Sequence, residues 1–123
     1  MRTRRLAILL SRLQPHSSNS VELEQYATEG DIAARWITDI VAYDDMPRGC
    51  AVVDLGAGNG ILGLGAMVMG AGRATLVESD GVACDVAKNN AESIGFTDSI
   101  EVVHATIGSD PVDISYADLV ISN

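Results

Sequence analysis

An α/β fold built on a parallel sheet is predicted by three observations. From residue 50 onward, short apolar runs alternate with longer segments of helical periodicity. The first two runs, residues 50–54 and 74–78, are nearly continuous apolar stretches, as strands covered on both faces must be. The first of them ends in Asp54 and passes into Gly56, Gly58 and Gly60, glycines at every second position ahead of a helical run. Strands alternating with helices build right-handed crossovers, hence a parallel sheet with helices on both faces.

The elements follow in order. Leu6, Leu9, Leu10 and Leu13 recur at helical spacing, with Arg2, Arg5 and Arg12 mostly on the other side. This predicts an amphipathic helix that ends before Pro15. Its arginines are either a solvated face or a phosphate-contacting arm. Residues 14–20 read as a polar linker, so that 1–20 form an N-terminal helix and linker and 21–123 the main domain. Residues 21–28 read as a short mixed segment. Residues 29–43 read as a helix, with Ile32, Ala33, Trp36, Ile37, Ile40 and Val41 as its apolar stripe and acids in its first turn. Pro47 and Gly49 mark a loop. Then come a strand at 50–54, a helix at 60–69 broken by Gly70 and Gly72, and a strand at 74–78. A helix at 82–94 closed by Gly95, a strand at 99–104 and a strand at 116–122 complete the reading.

Composition excludes several classes. At 123 residues and 47% hydrophobic, the chain is one folded domain at most. A net charge of −9 disfavours non-specific nucleic-acid binding by the body of the chain. Half of the 8 basic residues, Arg2, Arg4, Arg5 and Arg12, lie in the first dozen positions. Cys50 and Cys84 are far apart and offer neither metal spacing nor a disulfide framework, so no metal site is expected and the thiols fit a reducing cytoplasm. The apolar run Leu6–Leu10 is shorter than a signal-peptide core, and no segment is long and apolar enough to span a membrane. An Arg-rich organelle presequence is the alternative reading of the N-terminus.

The chemistry sits on the glycine loop. Glycines there turn the backbone sharply and bring N–H groups near a ligand at a helix N-terminus. A dinucleotide fingerprint needs a third glycine at the position of Ile61. The D-x-G-x-G-x-G pattern present instead resembles motif I of the Rossmann-like S-adenosylmethionine (SAM) methyltransferases. Asp54, at the end of the first strand, either fixes the loop through backbone N–H groups or meets the cationic end of a cofactor that carries a sulfonium and an ammonium, where it would repel a pyrophosphate. Glu78, ending the second strand, stands where an acid bonds ribose hydroxyls; its alternative is an ordinary exposed acid. Asp80 fits as the N-cap of the following helix. The chain's last residues, Asp118–Asn123, form an apolar strand ending in Asn. Methyltransferases acting on exocyclic or amide nitrogens follow strand four with Asn or Asp, two prolines and an aromatic. The Asn oxygen there accepts an N–H of the target amine, whose lone pair is otherwise delocalised into the ring.

Taken together, Leu23-Glu24-Gln25-Tyr26-Ala27-Thr28, Ile32–Arg35, Asp54–Gly60, Lys88–Glu92 and Val120–Asn123 resemble the small archaeal and eukaryotic methyltransferase-like N6-adenine RNA methyltransferases that modify small-subunit ribosomal RNA. The resemblance implies that Gln25 and Thr28 line the SAM pocket. It implies that Gly56, Asn59 and Ile61 contact the methionine part and Glu78 the ribose, with Asp54, Gly58 and Gly60 also among the cofactor-binding residues, and that Asn123 is catalytic. It implies an RNA partner and a small zinc-bearing activator subunit. Thr106 stands where such enzymes usually carry an acid near the adenine of SAM. The fold so read is expected to stop after its fourth strand, inside the catalytic motif, leaving this chain alone inactive. An N5-glutamine protein methyltransferase, a ribosomal RNA guanine-N2 methyltransferase and a non-catalytic SAM- or partner-binding fragment are the rival readings.

Overall fold

The computed structural model describes residues 1–15, 20–114 and 116–122, the side chains of 20–28 excepted. The chain runs α1 (Thr3–Ser11), α2 (Ser20–Ala42), β1 (Ala51–Leu55), α3 (Ile61–Val68), β2 (Arg73–Glu78), α4 (Gly81–Ser93), a 3-10 turn at Thr97–Ser99, β3 (Ile100–His104) and β4 (Leu119–Ser122). The four strands form one sheet in the order β3-β2-β1-β4, and every pair is parallel. This is a Rossmann-like, doubly wound arrangement. Val52 and Val53 point to opposite faces of β1, and both are buried. Val52, Leu76 and Ile121 join one core cluster with residues of all four helices, among them Leu6, Ile37, Leu64 and Ala87. No helix is long and apolar enough, among the described residues, to cross a membrane.

Local signals account for most boundaries. Asp80 caps α4, its carboxylate accepting the Val82 N–H at 2.9 Å, and Gly95 closes it with φ +82°. Asp118 starts β4 by holding Ala51 from both sides. Its N–H donates to the Ala51 carbonyl at 2.8 Å, and its carboxylate accepts the Ala51 N–H at 2.8 Å. The Ala51 N–H bond and the Tyr116 hydroxyl hold the exposed Asp118 carboxyl below the usual carboxylate range.

Two expectations are corrected. Residues 20–28 are not a linker end and a separate mixed segment but the first third of α2, which runs 23 residues without a break. Gly30, read as part of a helix start, lies mid-helix where α1 crosses. A Cβ there would stand 3.2 Å from the Ser11 backbone, so the glycine permits close helix approach and the packing offsets its poor propensity. Within the expected stripe, Ala33 and Ile37 are buried with Ala34, whereas Ile32 and Trp36 are exposed. The buried side of α2 is set by α1 and α3, on which it packs.

The glycine that ends the α3–β2 turn is equally constrained. A Cβ on Gly72 would lie 2.5 Å from the Gly49 carbonyl oxygen, and the two segments are held together by Gly49 N–H to Gly70 O and Gly72 N–H to Cys50 O, both 2.8 Å. The clash is with backbone and cannot be relieved by a rotamer. Gly72→Ala is therefore expected to destabilise the fold by roughly 1–3 kcal/mol, read as a lower urea midpoint at unchanged slope.

Candidate cofactor site

The loop between β1 and α3 is shaped by three left-handed residues, Gly56 (φ 74°), Gly58 (φ 57°) and Gly60 (φ 88°). At Gly56 and Gly58 a Cβ would meet nothing within 4 Å, whereas at Gly60 it would press on Leu76 at 3.1 Å. The first two glycines therefore serve backbone conformation, and the third serves both conformation and packing. The amides of this loop do not all point outward, as the glycine pattern had suggested. Gly56 and Ala57 donate to the Val77 carbonyl at 2.8 and 3.0 Å, and Gly58 donates to Glu78 Oε1 at 2.8 Å.

Asp54 is the centre of the site. Its Oδ2 accepts the Gly63 N–H at 3.2 Å, while its Oδ1 is buried with no hydrogen-bond partner among the described residues. Burial pushes its pKa up to about 7 against the pull of the Gly63 bond, and the nearby Glu78 charge adds to the rise. A buried carboxylate oxygen without a partner is a place for a donor or a cation.

A cavity of about 190 Å³ is lined by Asp54, Gly56, Gly58, Asn59 and Ile61 together with Glu29, Ala57 and Leu62. Five of the residues expected to hold cofactor are thus brought together. Gly60, behind them, shapes the loop. Glu29 and Leu62 were not foreseen. The only sequence signal for Glu29 was its place among acids read as complementing a helix dipole. With Asp54 it makes the cavity acidic, which suits a cationic ligand and opposes a pyrophosphate.

Glu78 does not line this cavity. Its Oε1 holds Gly58, and its Oε2 accepts the Asp80 N–H at 2.8 Å. The side chain therefore ties the glycine loop to the end of β2. A carboxylate has about four lone-pair sites, so ribose hydroxyls can still be bonded there. Thr106 is not brought to the cavity either. It is exposed, in a turn where its N–H donates to Asp110 Oδ2 at 2.7 Å and its carbonyl accepts from Ser109 and Asp110. The Gln25 and Thr28 side chains and Asn123 lie outside the described residues.

A buried amide clamp supports the loop from the other side. Asn90 Oδ1 accepts the Gln14 N–H at 2.7 Å, and its Nδ2 donates to the Gln14 carbonyl at 2.9 Å and to the Asn59 carbonyl at 3.0 Å. Asn59 Nδ2 adds a 3.2 Å bond to the same Gln14 carbonyl, and its Oδ1 accepts the Ile61 N–H at 3.3 Å. The segment leaving α1 is thereby fastened to the cofactor loop and to α4. Asn90 had been noticed as part of Lys88–Glu92, but no local signal disclosed a partner 76 positions away.

The residues present fit the methionine part of SAM. The acidic cavity and the unpartnered Asp54 Oδ1 supply acceptors for an ammonium, and open space at Gly56 and Gly58 leaves the loop accessible.

Residues 33–123 match the family described as ribosomal protein L11 methyltransferase (PrmA). A ribosomal protein L11 methyltransferase of Pelotomaculum thermopropionicum is 40% identical over 75 residues, 61% of this chain and 24% of that enzyme. An uncharacterized protein of Methanocaldococcus jannaschii is 33% identical over 96 residues, 76% of this chain and 42% of that protein. The crystal structure of a candidate RNA methyltransferase from Pyrococcus horikoshii is 35% identical with a TM-score of 0.81, covering 100% of this chain and 58% of its own. The chain thus spans from about a quarter to somewhat over half the length of these relatives.

Proposed function

The chain belongs to the ribosomal protein L11 methyltransferase (PrmA) family of SAM-dependent methyltransferases, and from that premise we propose that the protein carrying it methylates the exocyclic amino nitrogen of adenine in RNA. The observation that carries the choice of RNA is where the similarities begin. The PrmA match starts at residue 33, which leaves α1 and Leu23–Thr28 outside it. The candidate RNA methyltransferase of P. horikoshii covers the whole chain, these residues included. Small-subunit ribosomal RNA is the proposed substrate, and a small zinc-bearing activator is a proposed partner.

Bound SAM supplies a methyl carbon made electrophilic by its sulfonium. The protein's share is positioning and charge. Asp54 and Glu29 would hold the ammonium end of SAM, the Gly56–Gly60 loop shapes the cavity wall, and Glu78 anchors that loop and would accept from the ribose hydroxyls. Asn123 is the proposed acceptor for an N–H of the target amine. The second reading, methylation of a ribosomal protein, is favoured by the family description and by the L11 methyltransferase relatives.

Labelled methyl transfer separates the two. The protein carrying this chain is incubated with methyl-labelled SAM and either small-subunit ribosomal RNA or ribosomal protein L11. Label recovered as N6-methyladenosine after nuclease digestion is the expected result. Label in the protein alone would replace this reading with the second.

A further inference from the structure

Positive charge in this chain is concentrated on one helix. Residues 1–15 hold Arg2, Arg4, Arg5 and Arg12 and no acid, while the remaining 108 residues hold the other four basic residues and all 17 acids. Helix α1 buries Leu6, Ala7 and Leu10. At 100° per residue the four arginines share the opposite arc, and all four are exposed. Among the described residues none is in an ion pair. Arg4 and Arg35 of α2 line a common cavity of about 330 Å³ together with Thr3, Ala7 and Asp31, the acid of that cleft.

Helix stability does not explain the placement. Arg2 is the N-cap of α1, Arg4 and Arg5 lie in its first turn, and that turn has no acid. Cations at the positive end of a helix dipole are unfavourable by about 0.3–1 kcal/mol each. Only Arg12, at the C-cap, suits the dipole. Three arginines therefore stand where they weaken their own helix, exposed and without a partner among the described residues.

The patch is also fixed in place. Arg12 precedes Gln14 by two residues, at most about 7 Å of chain, and the Gln14 peptide is held by Asn90 and by Asn59 of the cofactor loop. The C-terminal end of the basic helix is thus tied to the cofactor loop through Asn59. The Debye length at physiological salt is about 8 Å, so acids farther off do not cancel its local field.

We propose that the arginine face of α1 docks the phosphate backbone of single-stranded RNA beside the cofactor site. This rests on the RNA reading above and adds to it the surface that binds the strand. Four phosphate contacts give a slope of log K against log salt of about −3 on single strands.

The test measures fluorescence anisotropy of a labelled 20-nucleotide single-stranded RNA across a potassium chloride series. The protein is compared with the fourfold variant Arg2→Gln, Arg4→Gln, Arg5→Gln, Arg12→Gln. The variant is expected to bind at least about tenfold more weakly at 0.1 M salt and to lose most of the slope. Its melting temperature should hold or rise, since three charges unfavourable to the helix dipole are removed, and its calorimetric affinity for SAM should stay unchanged. Equal affinity and slope in the two proteins would overturn the proposal. So would loss of polyglutamate binding with RNA binding intact, which would make the patch a contact for acidic proteins. Methyl label found in protein with the RNA slope still dependent on the arginines would fell the adenine reading and leave the docking surface standing.

Discussion

Asp54→Asn is expected to weaken SAM binding by about 30- to 100-fold, the loss of a buried charge-assisted contact worth roughly 2–3 kcal/mol. The same substitution should change how stability of the ligand-free protein depends on pH. Asp54 is buried and its pKa is raised from 3.8 to about 7. The folded state therefore holds its proton more tightly than the unfolded chain does. Stability contributed by this group is present below about pH 4 and is lost as pH rises toward 7, by up to about 4 kcal/mol. Asparagine cannot ionise, so the gap in unfolding free energy, variant minus wild type, should widen in the variant's favour between pH 4 and 8. Binding should show the opposite trend in the wild type. A cationic ligand prefers the ionised carboxylate, so affinity should rise with pH up to about 7 and then level, while the variant's profile stays flat. Calorimetric titrations from pH 5.5 to 8.5 check this. A wild-type profile as flat as the variant's would remove Asp54 from the binding site.

Asn90→Ala should cost about 1–3 kcal/mol, because it leaves the buried Asn59 carbonyl and the half-buried Gln14 N–H without their partners. Three hydrogen bonds end on this one amide. The clamp needs both a donor and an acceptor, so Asn90→Asp should not rescue it. A carboxylate keeps the acceptor for Gln14 N–H but turns an oxygen toward the carbonyls of Gln14 and Asn59. Urea unfolding gives the stability loss. Hydrogen exchange gives its location, with faster exchange expected at Gln14 and through α1 while the β1 and β2 amides stay protected. Full rescue by aspartate, or exchange unaltered in α1, would show that the amide does not hold this segment.

What was legible in the sequence and what was not divide along the range of the interactions. The parallel α/β plan, the glycine loop after β1 and the ends of α4 were readable, because each rests on neighbours in the chain. Apolar runs make buried strands, Asp80 caps the helix it precedes, and Gly95 takes the left-handed conformation that closes it. The acid-plus-glycine spacing likewise pointed to the cofactor now supported by family membership.

Other features were decided only by the folded structure. Local patterning began a helix at residue 29, whereas the helix runs through from residue 20 and the crossing of α1 at Ser11 made glycine the residue that fits at position 30. Periodicity placed Ile32 and Trp36 inward, yet which side of α2 is buried depends on where α1 and α3 lie. Glu78 was read as a ribose ligand, and its bond to Gly58 appeared only when β2 came to lie beside the loop. The elevated pKa of Asp54, the entry of Glu29 into the cavity and the Asn90 clamp on Gln14 all join residues far apart in the chain. The sequence by itself determined the sheet, the loop and the chemical class of the cofactor, because short-range sterics and hydrophobic periodicity suffice for these. Tertiary structure alone decided which polar groups are buried together, because burial and pairing exist only once distant segments have packed.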